Sequence, residues 1–171
     1  FLHTSDVTFN LRDNEMEVLS SQSEPWRVTL VDTGADSGTG GRLKLVKDHV
    51  DDGTFCFTYG DGVSDVNVNS VIETHRGAGR LATLTSVQPP HRFGVIDVQG
   101  DAVKGMVEKP NDGGWINGGY FVLEPEAIDY IPDAVTHWEQ GPMQELANDD
   151  QLSVHYHRGF WQPMDTLREK Q

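Results

Sequence analysis

Phe55-Cys56-Phe57-Thr58-Tyr59-Gly60-Asp61-Gly62 is an apolar, aromatic run that stops at a carboxylate held between two glycines. The residues from Phe55 to Tyr59 predict a short buried strand, with Cys56 as a core thiol. The Gly60-Asp61-Gly62 step then hands the chain to a turn where the backbone can take positive φ and a ligand can come close. That places Asp61 at the C-terminal edge of a strand. In open α/β sheets ligands bind at this edge, and a carboxylate there can hold Mg²⁺ against a substrate phosphate. An ordinary Asp-Gly turn is the alternative.

Upstream, Trp26-Arg27-Val28-Thr29-Leu30-Val31 alternates and is β-branched, which predicts a strand ended by Asp32-Thr33-Gly34. Before it, apolar runs at 7–9 and 16–18 flank the turn residues Arg12-Asp13-Asn14-Glu15 and predict a hairpin. After it, Ala35-Asp36-Ser37-Gly38-Thr39-Gly40-Gly41 leads into a segment with Leu43, Val46 and Val50 at helical spacing. A glycine-rich loop that opens a helix can cradle an anion, with Arg42 in the first turn, or it can be a flexible connector.

Downstream, residues 68–79 predict a helix with Val71 and Ile72 inward and His75 and Arg76 outward, and 81–87 predict a strand stopped by Pro89-Pro90. This alternation argues for βαβ units and a mostly parallel sheet covered by helices. Residues 93–98 and 103–108, around Gln99-Gly100-Asp101, predict an antiparallel insertion that ends in Glu108-Lys109-Pro110. Those two charges are either site residues or a solvated strand end. Gly118-Gly119 precede Tyr120-Phe121-Val122-Leu123, which marks a bulge or a close backbone approach in a buried strand. Helical turns follow at 125–131, 137–140 and 142–147. His155 and His157 share a face of the strand 152–157 without a third metal ligand, so an edge strand is the reading. The chain closes on Phe160-Trp161-Gln162-Pro163-Met164-Asp165-Thr166, where Asp165 supplies a second carboxylate to match Asp61.

Composition narrows the function. The 171 residues, 36% hydrophobic and 23% charged, suit one soluble domain with a real core. A net charge of −14 excludes a nucleic-acid backbone as partner, so any phosphate must be met by metal or by a few basic groups. One cysteine allows no internal disulfide, and no apolar run is long enough to span a bilayer, which together predict a cytoplasmic protein without a membrane partner.

Thr39-Gly40-Gly41-Arg42, the Asp61 stretch, Arg92-Phe93-Gly94, Glu108-Lys109-Pro110, Ile116-Asn117-Gly118-Gly119 and the closing segment through Thr166 occur in an order and spacing that resembles the sugar-1-phosphate nucleotidylyltransferases. The resemblance implies a Rossmann-like α/β fold, a mostly parallel mixed sheet flanked by helices with a small antiparallel insertion. It implies transfer of CMP from CTP to glucose 1-phosphate, Mg²⁺ as cofactor and a homo-oligomer. Under it Asp61 and Asp165 hold the metal and Lys109 meets the sugar phosphate. Glu108 and Asn117 bond sugar hydroxyls, and Gly94 and Gly118 let the backbone approach the substrate, as does Gly60 beside Asp61. Ser37, Thr39 and Arg42 contact the nucleotide. UTP or dTTP in place of CTP, or a non-catalytic sugar-nucleotide binding module, are the other readings. The family's opening glycine-rich signature, with its arginine and later lysine, does not occur in residues 1–171. The expectation is therefore one domain over 1–171 that is incomplete at its N-terminus and inactive by itself.

Overall fold

The computed structural model describes residues 5–21, 24–50, 52–89, 95–99, 102–107 and 114–167. They fall into two units, Phe1–Asp32 and Thr33–Gln171. In the first, β1 (Ser5–Asn10) and β2 (Glu15–Ser21) pair antiparallel, as the turn residues predict. Asn10 holds the turn: its Oδ1 accepts the backbone N–H of Arg12 at 3.2 Å and its amide donates to Asp13 at 2.6 Å. Asn14 takes φ +54°, a conformation that Asn tolerates better than most residues.

The strand expected at 26–31 does not form. Trp26, Val28 and Leu30 are 78%, 70% and 92% exposed, and the segment belongs to no ladder among the described residues. Strand preference is a fit to a pleated, half-buried surface with a neighbour to pair with, and here no such neighbour is described.

The second unit opens with α1 (Thr39–Leu45) and a 3₁₀ turn, Lys47–His49. Leu43 is buried and Val46 packs against the core, as their spacing predicts. Next come β3 (Phe55–Thr58), β4 (Gly62–Ser64), α2 (Val68–Ala78) and β5 (Ala82–Val87). Asn67 caps α2 by accepting from Ser70 N–H at 3.3 Å, and Gly79 closes it at φ +60°. The hairpin of β6 (Val95–Gln99) and β7 (Ala102–Val107) is the expected antiparallel insertion. Then follow β8 (Ile116–Leu123), a 3₁₀ turn Pro125–Tyr130 with proline in its first turn, α3 (Pro142–Asn148), β9 (Leu152–His157) and β10 (Trp161–Pro163).

Four strands form the central sheet in the order β3-β8-β5-β9, while β4 and β10 pair separately. The class is the expected α/β with a mixed sheet, but only β5 and β9 run parallel among the described strands, and β8 is antiparallel to both neighbours. The cause lies in the connection. Between β5 and β8 the chain makes a hairpin instead of a crossover helix, so it returns at the edge it left, with Ile116 beside Val87.

Side chains alternate across this sheet. Phe55, Phe57, Phe121, Leu123, Ala82, Leu84 and Leu152 face a core shared with Leu43, Ile128, Ile131, Trp138 and Leu146. On the opposite face Thr83 bonds His75 of α2, and Ser153 bonds Thr83. Helices thus cover both faces. Two expectations are corrected here. Cys56 is exposed, because β3 ends the described sheet and only Phe55 and Phe57 turn into the core. His75, read as a surface residue, is 2% exposed: it lies one helical turn from the buried Val71, and its ring bonds Thr83 at 2.8 Å and Glu124 at 3.0 Å. No helix among the described residues is long and apolar enough to cross a membrane.

Candidate active site

The aromatic strand β3 carries Asp61 to the sheet edge, and β4 starts immediately after it. β10 pairs with β4 in the register Pro163↔Gly62, Gln162↔Val63, Trp161↔Ser64. The pairing continues past Pro163, where Met164 N–H donates to the Asp61 carbonyl at 2.7 Å. Asp165 is therefore the next residue after a direct partner of Asp61, although 104 positions separate them in sequence. Both acids are exposed.

Asp61 lines a cleft with Thr58, Tyr59, Asn117, Gly118 and Trp161. The floor is close-packed backbone. A Cβ on Gly118 would lie 2.7 Å from Val87 Cγ1 and 3.0 Å from the Thr85 carbonyl, so only glycine fits. Trp161 Nε1 donates to the Gly118 carbonyl at 2.8 Å, and the Tyr120 hydroxyl donates to the Gly62 carbonyl at 2.9 Å. The β5–β8 register shifts between Leu84 and Ser86, opposite the tandem glycines, which is the irregularity their presence predicts. Gly119 needs its glycine for φ +78°. Gly60 differs, since its φ is not positive and a Cβ there would meet nothing within 4 Å. Neither packing nor backbone conformation explains Gly60, so space beside Asp61 is what it leaves.

Ser37, Thr39 and Arg42 lie at the start of α1, bonded within the protein. The Ser37 hydroxyl donates to the Thr33 carbonyl; Arg42 donates to Thr33 Oγ1 at 2.8 Å and reaches the Ala35 carbonyl at 3.5 Å. The glycines between them are not a set of free N–H groups. Gly38 and Gly41 donate to the carbonyls of Ala134 and Thr136 at 3.0 and 2.9 Å, and a Cβ on Gly41 would lie 1.7 Å from the Ala134 oxygen. Close backbone packing is what this turn requires. Gly94, Glu108 and Lys109 fall outside the described residues.

Two residues at the site escaped the sequence reading. Tyr59 lines the cleft and donates its hydroxyl to Glu139, whose other oxygen accepts from Thr39 at 2.9 Å. Burial first, then the Glu139 hydrogen bond and charge, push the Tyr59 pKa far up, so the hydroxyl stays a donor. Burial works to raise the Glu139 pKa, but the bonds from Tyr59, from its own backbone and from Thr39 outweigh it and hold the carboxyl below its ordinary range. Glu139 has no local signal: it follows a tryptophan in a polar turn, and only the tertiary fold aims it.

The donor set bears on a metal. Among the described residues no three His, Cys, Asp or Glu side chains group to hold an ion. His155 bonds Thr74 at 2.8 Å and His157 pairs with Asp65 at 3.0 Å, in keeping with an edge strand. Two exposed carboxylates on adjacent backbone suit a hard cation that keeps most of its shell for phosphate and water, the habit of Mg²⁺.

Residues 8–162 match the family profile described as "Nucleotidyl transferase". The chain is 54% identical over 172 aligned positions to glucose-1-phosphate cytidylyltransferase of Salmonella typhi, covering 99% of this chain and 67% of that one. It is 32% identical over 143 positions to mannose-1-phosphate guanyltransferase of Saccharomyces cerevisiae, covering 76% of this chain and 40% of that one. Among solved structures, HddC from Yersinia pseudotuberculosis superposes with TM-score 0.53 at 20% identity, over 78% of this chain and 59% of that one, a likeness of fold. Enzymes of this kind generally work with a divalent metal. On that profile match and the cytidylyltransferase identity, the chain belongs to the nucleotidyl transferase family.

Proposed function

We propose that the protein is a glucose-1-phosphate cytidylyltransferase. A phosphate oxygen of glucose 1-phosphate forms a bond to the α-phosphorus of CTP, the bond from that phosphorus to the β-phosphate oxygen breaks, and pyrophosphate leaves with the electron pair, giving CDP-glucose. The observation that carries the reading is the β4–β10 pairing, which sets the strand that follows Asp61 beside the closing segment, so that Asp165 adjoins Asp61 along the backbone. These two carboxylates hold Mg²⁺, which neutralises charge on the reacting phosphates. Asn117 bonds a sugar hydroxyl, as does Glu108. Gly118, Gly94 and Gly60 let substrate close on the backbone. Lys109 pairs with the sugar phosphate and aligns it for attack. Ser37, Thr39 and Arg42 serve the nucleotide, and a homo-oligomer in the cytoplasm is the working form.

The test is pyrophosphate release from CTP and glucose 1-phosphate with Mg²⁺. The 171-residue chain is assayed beside a version carrying the family's glycine-rich signature ahead of it. The longer version turns over and the shorter one does not, because the triphosphate cradle lies in that signature. UTP and dTTP run in parallel decide the base, and faster turnover with either overturns the choice of CTP. Lys109→Ala raises the KM for glucose 1-phosphate and lowers kcat, while the KM for CTP changes less. Unchanged kinetics return Lys109 to the ordinary surface charges.

A further inference from the structure

Residues 134–139 belong to none of the motifs that suggested the function, yet they hold the glycine turn in place. Ala134 and Thr136 take the N–H groups of Gly38 and Gly41, and the Trp138 N–H donates to Thr39 Oγ1 at 2.9 Å. Trp138 is wholly buried, its ring edge-on to Phe57 and Phe121 at 6.1 and 6.0 Å. The segment is thus rooted in the core at Trp138 and emerges at Glu139.

Glu139 is exposed, and a carboxylate in that setting ordinarily moves freely in water. Here both of its oxygens are engaged by hydroxyls from different elements. Oε2 accepts from Thr39, the first residue of α1, and Oε1 accepts from Tyr59, at the end of β3. One acid therefore ties the turn bearing Thr39 and Arg42 to the strand end bearing Asp61. The carboxylate itself is exposed, so no burial of its own demands the arrangement; its loss leaves the half-buried Tyr59 hydroxyl without this acceptor.

We infer that Glu139 is a positioning residue, whose carboxylate fixes the Thr39–Arg42 turn against the Asp61 strand so that nucleotide and metal carboxylates meet in one register. The inference rests on the nucleotide and metal roles proposed above. A misplacement of about 1 Å between such groups costs on the order of 100-fold in rate, so a tie at the junction has leverage out of proportion to its own bond strength.

Glu139→Gln tests it in two arms. Its amide keeps one acceptor oxygen and replaces the other with a donor, so one of the two hydroxyls is released. In the kinetic arm, with the signature-bearing protein, Glu139→Gln and Glu139→Ala raise the KM for CTP about tenfold and lower kcat. The KM for glucose 1-phosphate stays within about twofold. A residue that only stabilised the fold would lower the amount of active enzyme, scaling kcat and leaving both KM values alone; that pattern overturns the inference. The second arm needs no substrate. Thr39→Val and Tyr59→Phe are combined, with thermal midpoints as readout, in the parent and in Glu139→Ala. In the parent the combined shift is smaller than the sum of the single shifts, since either one already breaks the tie. In Glu139→Ala the shifts add. Simple addition in both backgrounds overturns the tie whatever the kinetics show, whereas absence of turnover in the parent with every nucleotide overturns the functional proposal and leaves this thermal cycle to judge Glu139.

Discussion

Gly41 and Gly60 look alike in the sequence, each a small residue near a charged one, and the structure gives them opposite meanings. Gly41 has no room for a methyl group, because Ala134 occupies the space. Gly41→Ala therefore lowers stability by about 3 kcal/mol, the upper range for forced overpacking, measured by denaturant unfolding. Gly60→Ala changes stability by less than about 0.5 kcal/mol, as expected where nothing is contacted. If substrate closes on the backbone beside Asp61, that same Gly60→Ala weakens substrate binding at unchanged stability, and unaltered binding would leave Gly60 as an ordinary turn residue. Sequence reasoning reached both glycines and the carboxylate that follows Gly60 because turn and ligand approach share one signal, the missing side chain. It misread His75 and missed Glu139 for a related reason. A histidine two helical turns along an amphipathic segment reads as solvated, and only the partners Thr83 and Glu124, from β5 and the end of β8, make its burial tolerable. Polar pairings between elements distant in the chain leave no periodicity to read.

Among the elements, the aromatic strand, the helices at 39–45 and 68–78 and the antiparallel insertion were readable because each carries its own pattern of apolar spacing and caps. The segment 26–31 was not, since its alternation states a preference that only a neighbouring strand can fulfil. The direction of β8 was hidden as well, because it depends on where the preceding hairpin returns the chain. The three-residue pairing of β4 with β10 is the shortest feature of the sheet system and the one on which the proposed chemistry depends. It aligns Asp61 with Met164 by one backbone bond at 2.7 Å and so delivers Asp165. Two carboxylates on one metal should behave as a unit. Asp61→Asn and Asp165→Asn each weaken Mn²⁺ binding in the presence of CTP by more than the about 10–100-fold typical of losing a group behind the ligands, and the double substitution weakens it by less than the product of the two. Calorimetric titration measures this. Independent, multiplying effects would mean that the carboxylates serve separate sites.

At the scale of the molecule, groups whose pKa values are depressed by the fold set the acid-side windows of stability, and His155 and Glu124 mark the upper and the lower one. Burial first, and then the neighbouring His157 charge, lower the His155 pKa below its ordinary 6.5. The unfolded chain then takes up the proton before the folded one does, so this contribution is complete above 6.5 and is lost as pH falls through the depressed value. Glu124 acts lower on the scale. The hydrogen bond from Thr54 lowers its pKa first; burial opposes this, and the bond and charge of His75 lower it further below the ordinary 4.5. Its contribution is complete above 4.5 and disappears as pH drops through the folded value. Thermal midpoints recorded from neutral to acid pH should therefore fall in two steps, an upper one beginning near 6.5 and a lower one beginning near 4.5. His155→Gln removes the upper step and leaves the lower. Thr54→Val shrinks the lower step without touching the upper, because it deletes the hydrogen bond that contributes most to the Glu124 shift while leaving the His75 pair in place. An upper step that survives in His155→Gln would assign it to another histidine, and the link between the β9 edge and acid stability would be wrong.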